Sequence, residues 1–522
     1  MTTASRPRHR RPRFRPGAET PHSLARSALV LCLCAITSAA RAQPIEFKPE
    51  IEITEGVTSN ATGAQQGEER PDAITSIRPT LQVSSRSRLL KLDAIVGVNA
   101  IAYARELQPN RVFPELSANA TAQVVERLFF IDSSVKVGAA ERDPYAARSD
   151  AASTQNQEVV SVYRLSPTID RELANGTTVH ARYEEIVSHG DAGSATNQRF
   201  TNTDASLAWK PRPVGGSIAY ETHAIHYSFP ADSEWKIETL KARGDVALGG
   251  DYVVGPSVGT ERTTLLFDSR SEASYGAHLN WTPSERTRLA VEAEHRFFGT
   301  GWQMEFRHRM PWLTFSLLWS RAPIDSSNSL GVVGADGLNA FLDGILTTRY
   351  PDPAARAAIV DGLVANRGLQ GSAATPIDVR ADYVQLQNRL DANAVFLGNR
   401  NIVAVGVYML TARGLAVPAD ALQGAISAAS DNRQVGASLD INRKLEAQLS
   451  ADFSATWTRI TSLPAGAAQT STNQSYRLAL IRALSPHTSL SLALRHESLR
   501  TNLATLNSYA STSAYVSMSH RF

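Results

Sequence analysis

The stretch LEAQLSADFSATWT, residues 445–458, alternates apolar and polar side chains without a break. Its apolar positions are Leu445, Ala447, Leu449, Ala451, Phe453, Ala455 and Trp457. Successive side chains of a β-strand point to opposite faces, so a period of two indicates a strand with one apolar and one polar face. We therefore predict one long strand here, in a sheet whose two faces meet different surroundings.

The same alternation recurs along the chain. Further apolar series are Leu289, Val291, Ala293 and Phe297; Leu313, Phe315, Leu317 and Trp319; and Val435, Ala437, Leu439 and Ile441. Turn-forming residues separate such runs at Asn175-Gly176, Pro211-Arg212-Pro213, Gly249-Gly250, Thr282–Glu285, Asn442-Arg443 and Ser485-Pro486. Counting the runs predicts roughly 20 strands, within a range of about 18–22.

Strand length favours a membrane protein. Soluble strands are typically about 5–6 residues long, whereas a tilted strand that crosses a bilayer needs roughly 9–11. The runs here reach about 9 to 15 residues. A sheet this wide must close in a membrane, because an open edge would leave backbone groups unpaired in hydrocarbon. The sequence predicts an all-β fold, a large closed antiparallel transmembrane β-barrel over residues 43–522.

The two faces have different expected surroundings. The polar face should line a lumen in which Glu292, Glu294, Asp440 and Asp452 stay hydrated. Aromatic residues near strand ends suit the girdles at the two membrane interfaces. The candidates for these girdles are Trp281, Trp312, Trp319, Trp457 and Tyr515.

Residues 1–42 have the three parts of a secretory signal peptide. An arginine-rich start precedes the apolar stretch Ala28–Ile36, and Ala40-Arg41-Ala42 supplies the small residues that a signal peptidase needs. The apolar stretch is too short for a membrane-spanning helix, which needs about 20 residues. We predict cleavage after Ala42, export, and a location in the outer membrane.

Removing this leader changes the composition of the chain. Both cysteines, Cys32 and Cys34, lie in the leader, so the remaining chain has no disulfide, no thiol chemistry and no Cys-ligated metal. The leader also carries eight Arg and one Glu, and without it the formal charge of +3 becomes about −4. Nothing in this charge indicates a nucleic-acid partner.

Three segments depart from the strand pattern. Residues 58–72 and 141–156 are polar and unpatterned, and are interpreted as solvent-exposed loops. Residues 322–378 include a helix signal, because Asp352-Pro353 is a good helix start and Gly368 a stop. We predict a helical loop insertion at 322–378 that plugs the lumen or caps one mouth.

Three short motifs resemble catalytic or metal-binding motifs, but the sequence around each of them does not support that function. Residues 255–259 (GPSVG) fit the elbow of serine hydrolases, but a strand-like run follows where that elbow needs a helix. Ser133 and Lys136 match a Ser-x-x-Lys pattern inside an alternating strand. His223 and His226 have odd spacing, which in a strand puts them on opposite faces. We predict no enzyme and no catalytic, cofactor or metal-binding residue.

The final stretch, Tyr509 to Phe522, has the form of a barrel assembly signal. Phe522, Met518, Val516 and Ala514 share one parity and should face lipid together. We expect this strand to pair with the first one, near Ile45 to Thr54, and to be recognised by the barrel-assembly machinery.

A family resemblance is carried by WTPSERTRLAVEAEHRFFGTGWQMEFRHRMPWLTFSLLWSR, Trp281 to Arg321. It resembles the outer-membrane proteins associated with the PEP-CTERM/exosortase system of Gram-negative bacteria that produce exopolysaccharide. FLDGILTTRYPDPAARAAIVDGLVANRGL, Phe341 to Leu369, is similar to the helical insertion of that family, and GNRNIV, Gly398 to Val403, is also similar. The shared motifs are structural, and no functional residue carries over from the family.

The resemblance implies a barrel that works beside exopolysaccharide production, as a conduit for polysaccharide or as a surface-assembly component. The expected partners are the lipid bilayer, the assembly machinery and exopolysaccharide. A general diffusion porin is the main alternative. An outer-membrane hydrolase and a soluble secreted β-protein are the others.

Overall fold

The structure is a computed structural model that describes residues 45–522, except 142, 144, 147–152, 175, 191–197, 228–232, 266–267, 325–383, 416–430 and 464–467. The proposed leader, 1–42, lies outside these residues, and cleavage after Ala42 stays a prediction. No helix of the described part is long and apolar enough to span a membrane.

Strands dominate the described residues, as the alternation predicts. They are β1 (Glu46–Thr58), β2 (Asp72–Arg86), β3 (Leu90–Tyr103), β4 (Arg111–Val125), β5 (Phe129–Glu141), β6 (Gln157–Glu172), β7 (Thr177–Gly190), β8 (Gln198–Trp209), β9 (Val214–Tyr227), β10 (Ser233–Leu248), β11 (Tyr252–Leu265), β12 (Asp268–Ser284), β13 (Thr287–Arg296), β14 (Gly299–Arg309), β15 (Leu313–Ile324), β16 (Gln385–Leu397), β17 (Asn401–Gly414), β18 (Asn432–Lys444), β19 (Leu449–Ser462), β20 (Thr470–Ala483), β21 (Thr488–Thr501) and β22 (Tyr509–Arg521).

All of these strands belong to one antiparallel sheet of 22 strands. Each strand pairs with its neighbours in chain order, and β1 pairs with β22 from Glu50 opposite Arg521 to Thr58 opposite Ser513. This last pairing closes the sheet and leaves no edge. The prediction of a large closed antiparallel barrel is confirmed, with the strand number at the upper limit of the expected range.

The two ends of the barrel differ in their connections. At one end, the short-turn end, every connection between strands has two to four residues. At the other, the long-loop end, connections reach the 60 residues between Ile324 and Gln385. Gly176 and Gly249, both in turns of the short-turn end, have φ of +80° and +66°, a conformation that favours glycine.

One turn was missed inside the run that opened the sequence analysis. β18 continues to Lys444, and the backbone N–H groups of Leu445 and Glu446 both donate to the Leu449 carbonyl before β19 begins. Leu445–Gln448 is therefore a turn, and Asn442-Arg443 is strand. A four-residue turn preserves the odd-even parity of the chain, which is why the alternation continued through it.

The outward face is apolar, as expected for contact with lipid. On β22 the exposed fractions are 72% for Phe522, 49% for Met518 and 49% for Val516, which confirms the parity predicted for the last strand. On β18, Val435 and Leu439 face outward while Ser438 and its neighbours of the same parity are buried inside.

The first three residues of the predicted insertion, 322–378, are strand and not loop. Ala322 to Ile324 belong to β15 and pair with Gln387, Leu386 and Gln385 of β16. Residues 325–378, including the predicted helix, lie outside the described residues. β15 and β16 pair directly with each other, so the wall is continuous without the segment between them.

Candidate functional site in the barrel lumen

Lys241 of β10 is the centre of one charged group on the inner wall. Its Nζ lies 3.1 Å from Glu292 Oε1 and 2.9 Å from Glu294 Oε1, both on β13. Ser257 of β11 donates its hydroxyl to Glu294 at 2.9 Å. The group therefore spans four neighbouring strands, and its charges are paired as partly buried charges require.

Glycines make this reach possible. Lys241 pairs in register with Gly259, and Gly276 pairs with Glu294. A side chain at Gly276 would meet Glu294 Cγ at 2.6 Å. Because neither glycine has a side chain, the Lys241 side chain can lie over β11 and β12 and reach the carboxylates of β13.

A second group lies beside the first. His278 Nε2 is 2.7 Å from Asp245 Oδ1, and Arg243 Nε is 3.1 Å from the same oxygen. His278 is 6% exposed, and its Nδ1 has no partner among the described residues. The acid holds both basic side chains in place on the wall.

A third group covers β6 to β8. Glu184 accepts hydrogen bonds from Ser166 at 3.0 Å and Asn202 at 2.9 Å. Arg182 also donates to it, and Arg164 Nε lies 3.4 Å away. Like the other two groups, it pairs charges across strands on a polar inner surface. No three His, Cys, Asp or Glu side chains of the described residues lie close enough to hold a metal ion.

The acidic residues predicted for the lumen are inside, but three of the four are not hydrated. Glu292 is partly open, with 37% of its side chain exposed. Glu294 has 12% of its side chain exposed, and Asp440 and Asp452 are both 6% exposed. The expectation of hydrated carboxylates is wrong for these three because neighbouring side chains cover them; Asn442, for example, donates to Asp452.

Apolar side chains on part of the inner wall are buried near the long-loop end. A buried apolar group, here called the mouth cluster, joins β6 to β10 with the residue that precedes β16. Its members are Val160, Val162, Ile186, Phe200, Ile225, Trp235, Ile237 and Val384. By contrast Ile95, which faces the lumen nearer the short-turn end of β3, is 44% exposed. The inner wall along β6 to β10 is thus covered at the long-loop end.

Tyr145 links the β5–β6 connection to β19 on another part of the wall. It is 1% exposed and packs against Ile460 of β19, with Leu503 and Leu506 alongside. Ser471 of β20 donates its hydroxyl to the Tyr145 carbonyl. Burial, together with the Asp143 and Asp431 carboxylates, raises the pKa of Tyr145 to about 12.

The two predicted solvent loops are in part buried. Asn60 and Ala61 of the 58–72 stretch are 3% and 0% exposed. Gln108 donates to the Ala61 carbonyl and accepts from the Thr154 N–H at 3.2 Å. Polarity suggested exposure, but the polar groups bond to one another across three neighbouring connections.

The candidate catalytic motifs do not form sites. Ser257 lies within β11, so the GPSVG stretch is not an elbow, and its hydroxyl bonds to Glu294. Ser133 and Lys136 lie three residues apart on β5 and therefore point to opposite faces. His223 faces inward against Trp235, at 5.7 Å between ring centroids, whereas His226 has the opposite parity.

Four of the five predicted girdle aromatics face outward. Trp281 stacks on Tyr252, Trp319 lies 5.3 Å from Trp302, and Trp312 lies 5.8 Å from Phe396, between ring centroids. Trp457 has the outward parity of β19.

Tyr515 is the exception. Ser511 and Ser513 show that odd positions of β22 point inward, and Tyr515 packs against Ile74 and its cluster inside the barrel. Its ring lies over Gly56, which has no side chain to exclude it.

A small cavity at the long-loop end is too small for a ligand. Asn60, Arg495, Glu497 and Tyr509 are among the residues that line it. Its free volume is about 10 Å³, which is room for about one water molecule. The candidate site is therefore the charged inner wall and its closure.

The charged residues of β10 were not among the residues predicted for the lumen. Lys241, Arg243 and Asp245 occupy alternate positions of this strand and are separated by Ala242 and Gly244. This charged alternation was a usable signal, because three charged residues of one parity mark the polar face of a strand.

Solved structures share this architecture. The FrpB iron transporter from Neisseria meningitidis (F3-3 variant) matches with a TM-score of 0.50 and 8% identity, over 91% of this chain and 81% of that one. The ferric citrate transporter FecA matches at 0.47 and 10% identity, over 92% and 79%. The siderophore receptor PirA from Pseudomonas aeruginosa matches at 0.43 and 9%, over 92% and 81%. No family model and no curated protein matches the chain.

These likenesses support the fold and its location. The protein is a large outer-membrane β-barrel in contact with the lipid bilayer, and the alternative of a soluble secreted β-protein is wrong. The long-loop end is the cell-surface end, because such barrels carry short periplasmic turns and longer extracellular loops.

The predicted function needs correction. A polysaccharide conduit, with a general porin as its alternative, is wrong: the matched barrel FrpB, which shares this fold, is named as an iron transporter. The physical reason agrees, since barrels of 16–18 strands leave an aqueous channel, whereas 22-stranded transporters have a plugged lumen. In this barrel the mouth cluster covers the inner wall along β6 to β10.

Proposed function

We propose that the protein is an outer-membrane receptor barrel that takes up a ligand from the cell surface. The observation that carries this proposal is the burial of inward-facing apolar side chains at the long-loop end, in the mouth cluster and around Tyr145. A solute passes such a barrel only when these contacts rearrange. Ligand-dependent opening distinguishes a receptor from a passive pore.

The charged inner wall sets the class of ligand. Paired charges on β6 to β8 and on β10 to β13 present a polar surface of mixed sign, which suits a polar or charged solute. Ferric chelates are the first class to test, because the matched barrels are named for iron, siderophores and ferric citrate.

The test combines conductance with ligand binding. Purified protein in planar bilayers should show no large steady conductance. Ferric chelates should bind from the long-loop side, and their binding should protect the loops at that end from protease. A wide, permanent conductance without ligand would contradict the proposal, and so would the absence of binding or uptake for every chelate and small polar solute offered.

A substitution in the closure sharpens the test. Tyr145→Ala removes the buried ring that packs against Ile460, so open events should become frequent in the variant. Tyr163→Ala is the matched control, because Tyr163 is 41% exposed on the outer face. Equal conductance in the two variants would show that Tyr145 does not hold the lumen closed.

Two further assignments belong to this proposal. Recognition by the barrel-assembly machinery rests on β22 and on Phe522, which follows it and faces outward. Membership of the PEP-CTERM/exosortase-associated family rests on the motif from Trp281 to Arg321, and the neighbouring genes would test it.

A further inference from the structure

The outer wall carries a band of arginines on one sector at the long-loop end. Arg413 on β17, Arg433 on β18, Arg459 on β19 and Arg500 on β21 are all exposed and share the outward parity of their strands. We call these four residues the arginine band.

The register places the band in one patch. Arg459 and Arg500 are both register partners of Thr472, one on each side of it. Strands lie about 4.8 Å apart, so the two backbones are roughly 10 Å from each other. Arg433 pairs with Thr461, two residues from Arg459.

The charge of the band is uncompensated by the barrel. The outward positions of β17 to β21 include no Asp or Glu. Among the described residues no carboxylate lies within ion-pair distance of the four arginines. An outward arginine on another sector has a carboxylate partner: Arg199 lies 2.8 Å from Glu185.

The apolar part of the outward face is here called the apolar belt, and the arginine band lies along its edge at the long-loop end. Arg433 lies against Met409 of that belt, with its Nη2 3.5 Å from the sulfur. Below it the outward residues are Val407, Val435, Trp457, Tyr476 and Leu494. Arginine stems that lie along an apolar surface hold their guanidinium groups at the level of lipid headgroups.

We propose that the arginine band binds the phosphate groups of a phosphorylated glycolipid in the outer leaflet. Guanidinium groups match phosphate oxygens with two parallel hydrogen bonds, and four of them with no competing acid form an anion-binding surface. The position at the cell-surface boundary of the belt selects a lipid headgroup over a soluble anion. The inference concerns the outer wall and does not depend on what passes through the lumen.

The test measures binding of lipid A to folded barrel in detergent. The triple variant Arg433→Gln, Arg459→Gln, Arg500→Gln should lose affinity about tenfold or more, because each arginine adds attraction to an anionic headgroup. Heat-modifiable migration checks that the variant is folded. Dephosphorylated lipid A should bind the native protein as weakly as lipid A binds the variant.

Two controls separate position from charge. Arg482→Gln changes an exposed outward arginine at the short-turn end of β20, and Arg199→Gln changes a paired one. Both should bind lipid A like the native protein.

Three outcomes would overturn the proposal: unchanged affinity in the folded triple variant, equal binding of dephosphorylated lipid A, or complete competition by soluble polyphosphate at equal phosphate concentration. The last would identify a surface for soluble polyanions and not for lipid.

Discussion

Lys241 on β10 and Glu294 on β13 form an ion pair of 2.9 Å although β11 and β12 lie between their strands. The side chains are 21% and 12% exposed, so both charges are largely removed from water. Such a pair is costly to break from one side, because the remaining charge has no substitute partner. Its contribution should therefore be measurable in unfolding.

We expect Lys241→Met to lower the free energy of unfolding by about 2–4 kcal/mol, because it leaves two partly buried carboxylates without their cation. In a double-mutant cycle with Glu294→Gln the coupling should be about 1–3 kcal/mol. Urea unfolding of the folded barrel in detergent, followed by tryptophan fluorescence, gives these values. The exposed pair Lys210 and Glu172, also 2.9 Å apart, is the control and should show no measurable coupling. Equal coupling in both pairs would contradict the burial argument.

Tyr145 should ionise only at high pH. Its folded pKa is raised to about 12, above the ordinary value of 10, by burial and by two nearby carboxylates. The stabilisation that accompanies the raised pKa is complete below pH 10 and is lost as the pH rises through about 12. A phenolate difference spectrum between native protein and Tyr145→Phe, recorded during alkaline titration, reports this step. Ionisation of Tyr145 near pH 10 would show that the ring is open to water.

Removing Asp352 to Gly368 should leave the barrel intact. β15 and β16 pair over twelve positions, so the wall does not need the segment between them to close. The shortened protein should reach the outer membrane at the native level and keep its heat-modifiable band. Loss of the folded band would mean that this segment is required for assembly of the wall.

Replacing Phe522 with Ser should lower the amount of assembled barrel severalfold without affecting export. Its ring is 72% exposed on the outer face, while its N–H donates to the Pro49 carbonyl at 3.0 Å. The side chain therefore contributes to recognition more than to packing. Phe47→Ser is the control, because Phe47 is also exposed, at 60%, near the same end. If both variants assemble equally well, the terminal aromatic is not the signal.

Much of the wall was predictable because strand parity is a local property. Val435 and Met518 could be placed on the lipid side from alternation alone. Tyr515 was predicted for a girdle and lies inside, and its parity, opposite to that of Met518, was a usable signal for this. The turn at Leu445–Gln448 was not separable from strand, because its length preserves parity.

The lumen was less predictable, because burial inside a barrel depends on side chains that are distant in sequence. Asp452 is covered by residues of its own and neighbouring strands, and Lys241 reaches Glu294 only because Gly259 and Gly276 are bare. Tyr145 is buried by β19 and the β21–β22 connection, more than 300 residues away. From polarity alone, Asp452 and the loop that contains Tyr145 were predicted to be exposed to water.

Because their connections differ in length, the two ends of the barrel also differ in the sequence changes that they tolerate during evolution. A turn of two to four residues that joins paired strands tolerates few insertions or deletions, because a change in its length shifts the register of the strands that it joins. The long loops bear no such constraint, and they are the part that antibodies and phages meet first. Sequence variation among strains should therefore concentrate at one end of the molecule, and epitope insertions for surface display should succeed there and fail at the other.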